Sequence, residues 1–319
     1  MSLPPNSPKQ PTRKILLDVD PGIGDALALC LAMCDPRLEV VAITATGGNV
    51  PPDQATRNAQ AIVEHVDPPR WPRVGAADPE QPLRTDRREL CGNDGLCGAN
   101  FGVAELHHRH PAVKVLADEI RSAPGELTII AGGPLSNIAT FLKREPDLAT
   151  HVGHLIITGG TLNGPGNVTS CAEFNIYCDA EAAQFVFQSP VTKTLLPLDV
   201  SCQAELTIGL LDQLPSDSTN VGRFLHAILP RAFRAYRQRL GLEGIYVPEA
   251  LAVVAALHPE LLTTQALHGE VETADSITHG MTVVDRRQVD AGQPNMDVIT
   301  EFDTTAAIDC LLRTLNTKV

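Results

Sequence analysis

Three aspartates near the start of the sequence have the residue type and spacing that could do chemistry. Asp18 and Asp20 end a short apolar run, and Asp25 falls in the first turn of a predicted helix that follows Pro21-Gly22. Three carboxylates within eight residues repel one another unless a cation or a basic group compensates them. Because hard oxygen ligands of this kind suit Ca²⁺ or Mg²⁺, these acids are candidate metal ligands.

Other interpretations of these acids are open on the residues alone. Asp25 could complement the dipole of its helix and Asp20 could cap the turn, with no ligand involved. An EF-hand loop does not fit, because the sixth position from Asp18 is Ile23 and the twelfth is Leu29. Phosphatases of the haloacid dehalogenase type also carry D-x-D after a strand, but Gly-Thr normally follows there, whereas this sequence has Pro-Gly.

The elements that must position these acids follow from the hydrophobic pattern. Continuous apolar runs separated by helical stretches are typical of a parallel sheet that is buried on both faces. The predicted strands are residues 14–19, 38–46, 127–131, 155–158, 191–198, 270–272, 281–284 and 297–301, and the clearest helices are 25–34, 52–65, 221–240, 249–257 and 304–315. We therefore predict an α/β fold, a single domain over residues 13–319 with a central, mostly parallel sheet flanked by helices. Ligands of such sheets bind beyond the carboxyl ends of the strands, where Asp18 and Asp20 lie.

Composition limits the class of partner. The 319 residues include 25 Lys and Arg against 38 Asp and Glu, a formal net charge of −13, which argues against nucleic acid or a membrane as a partner. No apolar run approaches the roughly 18 residues of a membrane span. Residues 1–12 are polar and Pro-rich without a signal-peptide core, so we expect a disordered leader. Eight cysteines without a C-x-x-C pair favour neither a disulfide scaffold nor a zinc site, and the cytoplasm is the expected compartment.

Several stretches make the sequence resemble a known family. Residues 16–26 resemble the D-x-D-P-G-x-D-D opening of the inosine–uridine-preferring nucleoside hydrolases, and Ala-Glu-Phe-Asn-Ile-Tyr at 172–177 resembles the most diagnostic block of that family. The other stretches that look like family blocks, in the same order, are 42–49 with 56–59, 92–96, 132–137, 166–169, 197–200 and 280–285. The resemblance spans about residues 14–315, nearly the whole chain.

The resemblance implies an activity and a site. Family members cleave the N-glycosidic bond of ribonucleosides by attack of water on an oxocarbenium-like ribosyl centre, with a Ca²⁺ at the pocket floor that binds the water and the ribose hydroxyls. By position, Asp20 matches the metal-binding general base, and Asp25, Glu249 and the backbone carbonyl of Gly132 match the other metal ligands. The positions that match the ribose-binding set are Asn49, Asn167, Glu173 and Asn175. A ribonucleoside substrate, a role in nucleoside salvage and a homodimer or homotetramer follow from the same resemblance.

Each ribose-binding position also has a structural alternative. Asn49 and Asn167 each follow a glycine and could simply form turns. Glu173 and Asn175 alternate along what the pattern predicts as an extended segment, so both could point into solvent. Without the resemblance these alternatives would be favoured at all four positions.

The sequence departs from the family pattern at several positions. Gly24 replaces the first acid of the paired Asp-Asp, which contacts the ribose 2′-hydroxyl, so weaker discrimination against 2′-deoxyribonucleosides is expected. Pro248 and Cys91 stand where the family commonly has histidines, and neither can replace an imidazole acid near pH 7. Glu249 stands where the family has an aspartate, so it could bind a metal with one more methylene of reach or could simply begin a helix after Pro248.

Three hypotheses about function follow. The first is an active nucleoside N-ribohydrolase with an altered active-site shell, the second is a ribonucleoside- or ribose-binding relative with weakened catalysis, and the third is a phosphatase of the D-x-D type. We favour the first, because the base, most ligands and the ribose-binding set are retained. The nucleobase is not selected by the sequence. Arg231, Arg234 and Tyr236 in the predicted helix 221–240 are candidate contacts to the base, with a solvated helix face as the alternative.

Overall fold

The computed structural model describes residues 12–104, 109–287 and 292–317. The predicted leader, residues 1–12, lies outside the described residues except for Thr12. The strands are β1 Arg13–Val19, β2 Leu38–Ala45, β3 Arg73–Ala76, β4 His110–Pro111, β5 Thr128–Ala131, β6 His154–Thr158, β7 Lys193–Leu196, β8 Glu205–Thr207, β9 Gly244–Tyr246, β10 Leu262–Val271, β11 Thr282–Asp285 and β12 Met296–Phe302.

The α-helices alternate with these strands over most of the chain. They are α1 Ile23–Cys34, α2 Pro52–Val66, α3 Arg88–Cys91, α4 Ala112–Ser122, α5 Ser136–Arg144, α6 Phe174–Cys178, α7 Ala180–Gln188, α8 Leu198–Ser201, α9 Asn220–Leu240, α10 Pro248–Leu257 and α11 Thr304–Leu315. Short 3₁₀ helices are formed by Pro146–His151, Ile208–Gln213 and Pro259–Leu261. None of the helices within the described residues combines the length and the apolar character that crossing a membrane would need.

The central element of the described residues is a ten-stranded sheet in the order β11-β10-β12-β7-β6-β5-β1-β2-β3-β4. Neighbouring strands from β12 to β4 are parallel, whereas β10 and β11 join antiparallel at one edge. In the middle, β1 pairs with β2 and β5, so that Asp18 lies opposite Thr44 on one side and Ala131 on the other. The predicted α/β fold with a mostly parallel sheet is confirmed.

Helices cover both faces of the sheet, which explains the continuous apolar strands. Leu17 packs into the apolar layer formed with α1, α2, α9 and α10, which includes Leu27 and Leu229. Its neighbour Leu16 points to the other face, into the layer formed with α4, α5 and α7, which includes Phe141 and Val186. Because successive strand residues point to opposite faces, a strand covered on both sides is apolar at every position.

Two local predictions differ from the structure, one in the type of element and one in the length of a strand. The segment that contains Glu173 and Asn175 is not extended, because Glu173 is the N-cap of α6 and its carboxylate accepts hydrogen bonds from the backbone N–H groups of Asn175 and Ile176. The strand predicted at 270–272 is the end of β10, which begins at Leu262. Residues 263–266 of this strand are exposed, so they carry no buried apolar run that a sequence pattern could show.

Candidate active site

The carboxyl ends of neighbouring parallel strands bring most of the predicted site residues together. Asp20 follows β1, Asn49 follows β2 and Gly132 follows β5, all at one edge of the sheet. The chain beyond β6 leads to Glu173 and Asn175 at the start of α6. Because parallel strands end on the same side, residues distant in the sequence meet at this edge.

Asp20 is buried, with 1% of its surface exposed, and the backbone closes around its side chain. The backbone N–H of Asn49 donates to Oδ2 of Asp20 at 2.6 Å, and Nδ2 of Asn49 donates to the Asp20 carbonyl at 3.1 Å. A Cβ added to Gly48 would overlap Oδ2, so this close approach requires glycine. The other oxygen, Oδ1, has no hydrogen-bond partner among the described residues. Asp20 is therefore held by one oxygen and presents the other.

Asp25 combines a structural contact with an unpaired oxygen. Its Oδ2 accepts from the backbone N–H of Gly22 at 3.1 Å, which fixes the start of α1, and from Nδ2 of Asn49 at 3.4 Å. Its Oδ1 is buried without a hydrogen-bond partner among the described residues, and its side chain lies within hydrogen-bonding reach of Asp20. The helix-start role predicted as the alternative is thus present together with an oxygen free for a ligand.

Glu249 reaches the two aspartates from the first turn of α10, whose first residue is Pro248. A Cβ added to Gly24 would overlap Oε2 of Glu249 and would lie 2.9 Å from its Cδ. The longer glutamate side chain therefore occupies the space that any side chain at position 24 would need. This corrects the interpretation of Gly24 as simply a missing acid, because the departures at positions 24 and 249 fit each other sterically.

Burial raises the pKa of all three carboxyl groups, and the charge of Asp25 adds to this at Asp20 and Glu249. Burial, followed by the charge of Asp25, raises the pKa of Asp20 well above its ordinary value. Burial raises the pKa of Asp25 to about 6, and burial followed by the charge of Asp25 raises the pKa of Glu249 well above its ordinary value. Since an opposite charge favours the ionised form of a carboxyl group, a cation at this position would reverse these shifts.

The donor set fits a hard divalent cation. Oδ1 of Asp20 and Oδ1 of Asp25 are buried carboxylate oxygens without partners, which is the ligand type that Ca²⁺ prefers. The Gly132 carbonyl accepts hydrogen bonds from Nδ2 of Asn175 at 2.7 Å and Oγ1 of Thr158 at 3.2 Å. Within the described ranges, no three acid, histidine or cysteine side chains are already arranged around one ion position. The fit to a cation therefore rests on the two unpaired oxygens.

The predicted ribose-binding residues lie around these acids. Oδ1 of Asn167 accepts the backbone N–H of Phe174 at 2.8 Å, while Oε2 of Glu173 accepts the backbone N–H groups of Gly160 at 3.1 Å and Asn175 at 3.0 Å. Glu173 and Asn175 are each 6% exposed, so the alternative that both point into solvent was wrong. Each side chain uses part of its hydrogen-bonding capacity to hold the backbone and keeps part for a ligand.

A cavity of about 570 Å³, a volume typical of sites for small molecules, is lined by Gly24, Asn49, Asn167 and Glu249. Asp20, Asp25, Glu173 and Asn175 are not among its lining residues and lie buried next to these four. The two sets together form the floor of the site. The rim, which comprises the remaining lining from α3, α9 and the β9–α10 connection, includes Asp86, Arg87, Cys91, Tyr236, Arg239, Tyr246 and Pro248.

Of the three candidate contacts to the base, only Tyr236 lines this cavity. Arg231 donates to the backbone carbonyl of Gly98, and both Arg231 and Arg234 line a separate surface groove, which agrees with a solvated helix face for these two residues. Arg87 also lines the cavity and was not predicted, because nothing in the pair Arg87-Arg88 distinguishes the side chain that enters the cavity. Burial raises the pKa of the Cys91 thiol to about 12, which agrees with the expectation that it cannot replace an imidazole acid.

Comparison with known proteins agrees with this geometry. The sequence profile described as inosine-uridine preferring nucleoside hydrolase matches residues 15–309. The chain belongs to this family. The nucleoside hydrolase described here is similar to a pyrimidine-specific ribonucleoside hydrolase of Klebsiella pneumoniae, with 32% identity over 307 residues, 94% of this chain and 97% of the relative. It is also similar to a non-specific ribonucleoside hydrolase of Salmonella enteritidis, with 37% identity over 276 residues, 85% of this chain and 87% of the relative.

Solved structures of other nucleoside hydrolases share the fold. A plant nucleoside hydrolase aligns with a TM-score of 0.86 at 29% identity, covering 97% of this chain and 100% of the plant chain. A purine-preferring ribonucleoside hydrolase from Gardnerella vaginalis aligns with a TM-score of 0.85 at 27% identity, covering 95% of this chain and 98% of its own. The predicted family, fold and enzyme class are therefore confirmed.

Proposed function

We propose that this nucleoside hydrolase cleaves the N-glycosidic bond of ribonucleosides in a Ca²⁺-dependent reaction, with Asp20 as the general base. The observation that carries the proposal is the convergence of Asp20, Asp25 and Glu249 on the floor of a cavity of about 570 Å³, with unpaired buried oxygens on both aspartates. A neutral ribonucleoside fits the acidic character of the chain, whose formal net charge is −13.

The residues proposed to hold the cation are Asp20, Asp25, Glu249 and the backbone carbonyl of Gly132. When bound, a divalent cation lowers the pKa of a water molecule and attracts neighbouring hydroxyl oxygens. The Gly132 carbonyl supports this role least directly, since Asn175 and Thr158 already donate to it.

The side chains of the floor then divide the chemical work. Asp20, whose Oδ1 has no hydrogen-bond partner among the described residues, takes the proton of the attacking water. The ribose hydroxyls are held by the donors and acceptors that remain free on four side chains after their hydrogen bonds to the backbone. These side chains are Asn49, Asn167, Glu173 and Asn175. The fixed ribose places its anomeric carbon against the water, which lowers the entropic part of the barrier.

A second candidate is a ribonucleoside- or ribose-binding relative with weakened hydrolysis. The observation that favours it is the character of Cys91 and Pro248, since neither can protonate a departing base. The phosphatase hypothesis has no support, because the chain belongs to the nucleoside hydrolases.

Ribose release from the purified protein tests the proposal. Inosine, adenosine, uridine, cytidine and nicotinamide riboside are each incubated with protein treated with a chelator, with and without added Ca²⁺ or Mg²⁺, and reducing sugar is measured. We expect release from at least one nucleoside, loss of release after chelation and recovery with Ca²⁺. Asp25→Asn should blunt the response to Ca²⁺. Nucleoside binding without any sugar release would instead support the binding relative.

Three further expectations extend the proposal to the whole protein. We propose that residues 13–319 act as one domain, that the protein works in the cytoplasm in nucleoside salvage, and that it assembles as a homodimer or homotetramer. All eight cysteines lie in the described residues and are unpaired there, which is compatible with a reducing compartment. Size-exclusion chromatography with light scattering measures the assembly.

A further inference from the structure

Arg87 is tied to the floor of the cavity through its backbone and reaches over it with its side chain. The Arg87 N–H donates to the carbonyl of Asn49 at 3.1 Å, which fixes the start of α3 beside a ribose-binding residue. The guanidinium carbon lies 4.1 Å from the centre of the Phe174 ring, the residue after Glu173. A guanidinium stacked on an aromatic face is held in one plane, with its N–H groups directed to the edges.

The guanidinium N–H groups of Arg87 have no hydrogen-bond partner in the described part of the chain. Across residues 12–104, 109–287 and 292–317, the Arg87 side chain makes no hydrogen bond or ion pair, although Arg87 lines the cavity. The next residue is a contrast within the same turn. Arg88 points away from the cavity and pairs with Asp86, with 2.8 Å between its Nη2 and Oδ2 of Asp86. Arg87 is half-buried and has no carboxylate partner of this kind among the described residues, so its guanidinium is available to a ligand.

The surroundings keep Arg87 charged. Burial alone would lower the pKa of the guanidinium. The electrostatic effects of Tyr236 and Glu173, followed by those of Cys91 and Glu249, raise this pKa, and the net shift is upward. Arg87 therefore offers a permanent positive charge and donors only, and it gives up no proton at neutral pH.

The described residues place no imidazole acid beside a departing base. No histidine of residues 12–104, 109–287 and 292–317 lines the cavity, and burial raises the pKa of both the Cys91 thiol and the Tyr236 hydroxyl. A nucleobase that leaves without a proton carries the electron pair of the broken bond as negative charge. Tyr236 and Arg87 line the same cavity as Asn49, Asn167 and Glu249, so a nucleoside bound there lies in a cavity to which both side chains contribute.

We propose that Arg87 stabilises the departing nucleobase by donating hydrogen bonds to its carbonyl oxygens or ring nitrogens as negative charge develops there. This rests on the proposed hydrolysis of ribonucleosides. The substrate class is a nucleoside whose base delocalises the charge onto acceptor atoms at the edge facing the guanidinium, as oxopyrimidines and oxopurines do.

The step balances with water as the only co-reactant. The bond between the anomeric carbon and the base nitrogen breaks, and its electron pair stays on the nitrogen. The water oxygen forms the new bond to the anomeric carbon, and Asp20 takes one proton of that water and passes it to solvent. The base anion, held by Arg87, takes a proton from solvent on release. Arg87 donates hydrogen bonds throughout and transfers no proton.

Two kinds of leaving group distinguish stabilisation of the departing base by Arg87 from a contact of Arg87 to the ribose or to the acids. Uridine and inosine need stabilisation of the departing base, whereas p-nitrophenyl β-D-ribofuranoside releases a phenolate that its own nitro group stabilises. We expect Arg87→Gln to lower kcat/KM on the two nucleosides by about 100-fold or more, with most of the loss in kcat. The loss on the nitrophenyl riboside should stay below about tenfold. Arg87→Lys, which keeps the charge without the planar fork, should fall between Arg87→Gln and wild type on the nucleosides.

Arg121→Gln is the control, since it makes the same substitution at an exposed arginine that pairs with Glu145, with neither residue in the cavity lining, and it should leave both substrates near wild-type rates. Equal losses on both substrates in Arg87→Gln, including losses through reduced Ca²⁺ content, would overturn the proposal and assign Arg87 to the ribose or the acids. Wild-type rates on the nucleosides in Arg87→Gln would overturn it too. Failure of the wild-type protein to hydrolyse either kind of substrate would instead overturn the proposed function.

Discussion

The floor and the rim of the cavity are built differently. On the floor, Asp20 and Asp25 are 1% and 0% exposed and are held by backbone N–H groups at the ends of buried strands and the start of α1. On the rim, the cavity-lining side chains of Arg87 and Tyr236 are half-buried and make no hydrogen bond to another described residue. The two floor carboxylates are thus held by hydrogen bonds from the backbone, whereas these two rim side chains have no such hydrogen bond within the described residues.

This difference corresponds to the two halves of the proposed substrate. Ribose is common to all ribonucleosides, so a rigid floor of fixed carboxylates and amides can serve every one of them. The base varies, and unpaired donors on a rim can adapt to it. Substitutions on the floor should therefore change the rates on all nucleosides by a similar factor. Substitutions on the rim should change the ranking of nucleosides instead.

The largest effect is expected from Asp20→Asn on the floor. Removal of a general base lowers kcat by about 10²–10⁴-fold, and the same factor should apply to every nucleoside that the wild type hydrolyses. KM should change far less, because the ribose-binding residues are untouched. Steady-state kinetics on a purine and a pyrimidine nucleoside measure both quantities.

Two measurements accompany that variant. Its Ca²⁺ content must be determined, because Asp20 is also a proposed ligand and metal loss would lower the rate by another route. Asp53→Asn removes an exposed carboxylate from the first turn of α2 and should behave as wild type. Unchanged turnover in a metal-loaded Asp20→Asn protein would show that Asp20 is not the base.

A smaller effect is expected where Gly24 and Glu249 meet. An added Cβ at position 24 would overlap Oε2 of Glu249, which is the mobile end of a side chain, so the carboxylate would move while the backbone stays in place. Gly24→Asp alone should therefore lower Ca²⁺ affinity and kcat/KM by about 10–100-fold, as displacement of a metal-site neighbour usually does. This is opposite to the gain expected if Gly24 were simply a missing acid.

The double variant Gly24→Asp with Glu249→Asp is the decisive member of this series. The shorter aspartate at 249 leaves room for the new side chain, so the double variant should recover activity relative to Gly24→Asp and should discriminate ribo- from 2′-deoxyribonucleosides more sharply than wild type. Gly24→Ala adds the Cβ without a charge and separates steric from electrostatic effects. Additive losses in the double variant would contradict the steric pairing.

Much of the fold could be predicted because burial on both faces leaves a direct trace in the sequence. β1, β2, β5, β6 and β7 are mostly buried and each contains an apolar run, and each was predicted to within a few residues. β3 and β4 leave no such trace, since β3 has four residues with one buried and both residues of β4 are exposed.

The sequence predicted which residues lie near the site better than it predicted what each of those residues does. Family blocks contain residues that support the backbone as well as residues that face the cavity. Asn137 donates to Oδ1 of Asp18 and to the Ala45 carbonyl, both at 2.8 Å, and Asp199 accepts backbone N–H groups of the segment 162–164. A sequence motif does not distinguish a residue that supports the backbone from one that faces the cavity, because both functions need a polar side chain at a fixed position.

What could not be predicted depends on contacts between distant residues. The departures at Gly24 and Glu249 lie far apart in the sequence, and only the packing of α10 against α1 shows that they compensate. The choice between Arg87 and Arg88 depends on which side of a four-residue helix faces the cavity. Such a short helix carries no periodicity from which that side could be inferred.

The smallest effect is expected from Tyr236→Phe on the rim. The Tyr236 hydroxyl makes no hydrogen bond to another described residue, so its loss should leave thermal unfolding unchanged. A single neutral hydrogen bond to a base contributes about 0.5–1.5 kcal/mol, which corresponds to about 2–10-fold in kcat/KM. That factor should apply only to bases with an atom in reach, so the ratio of inosine to uridine should change. The ratio of inosine to 2′-deoxyinosine should stay constant, because the floor is intact.

Tyr177→Phe removes the same group from a residue outside the cavity lining and should leave both ratios unchanged. If Tyr236→Phe lowered the rate on every nucleoside by one common factor, the rim would act on the ribose as the floor does, and the division between the two regions would be wrong.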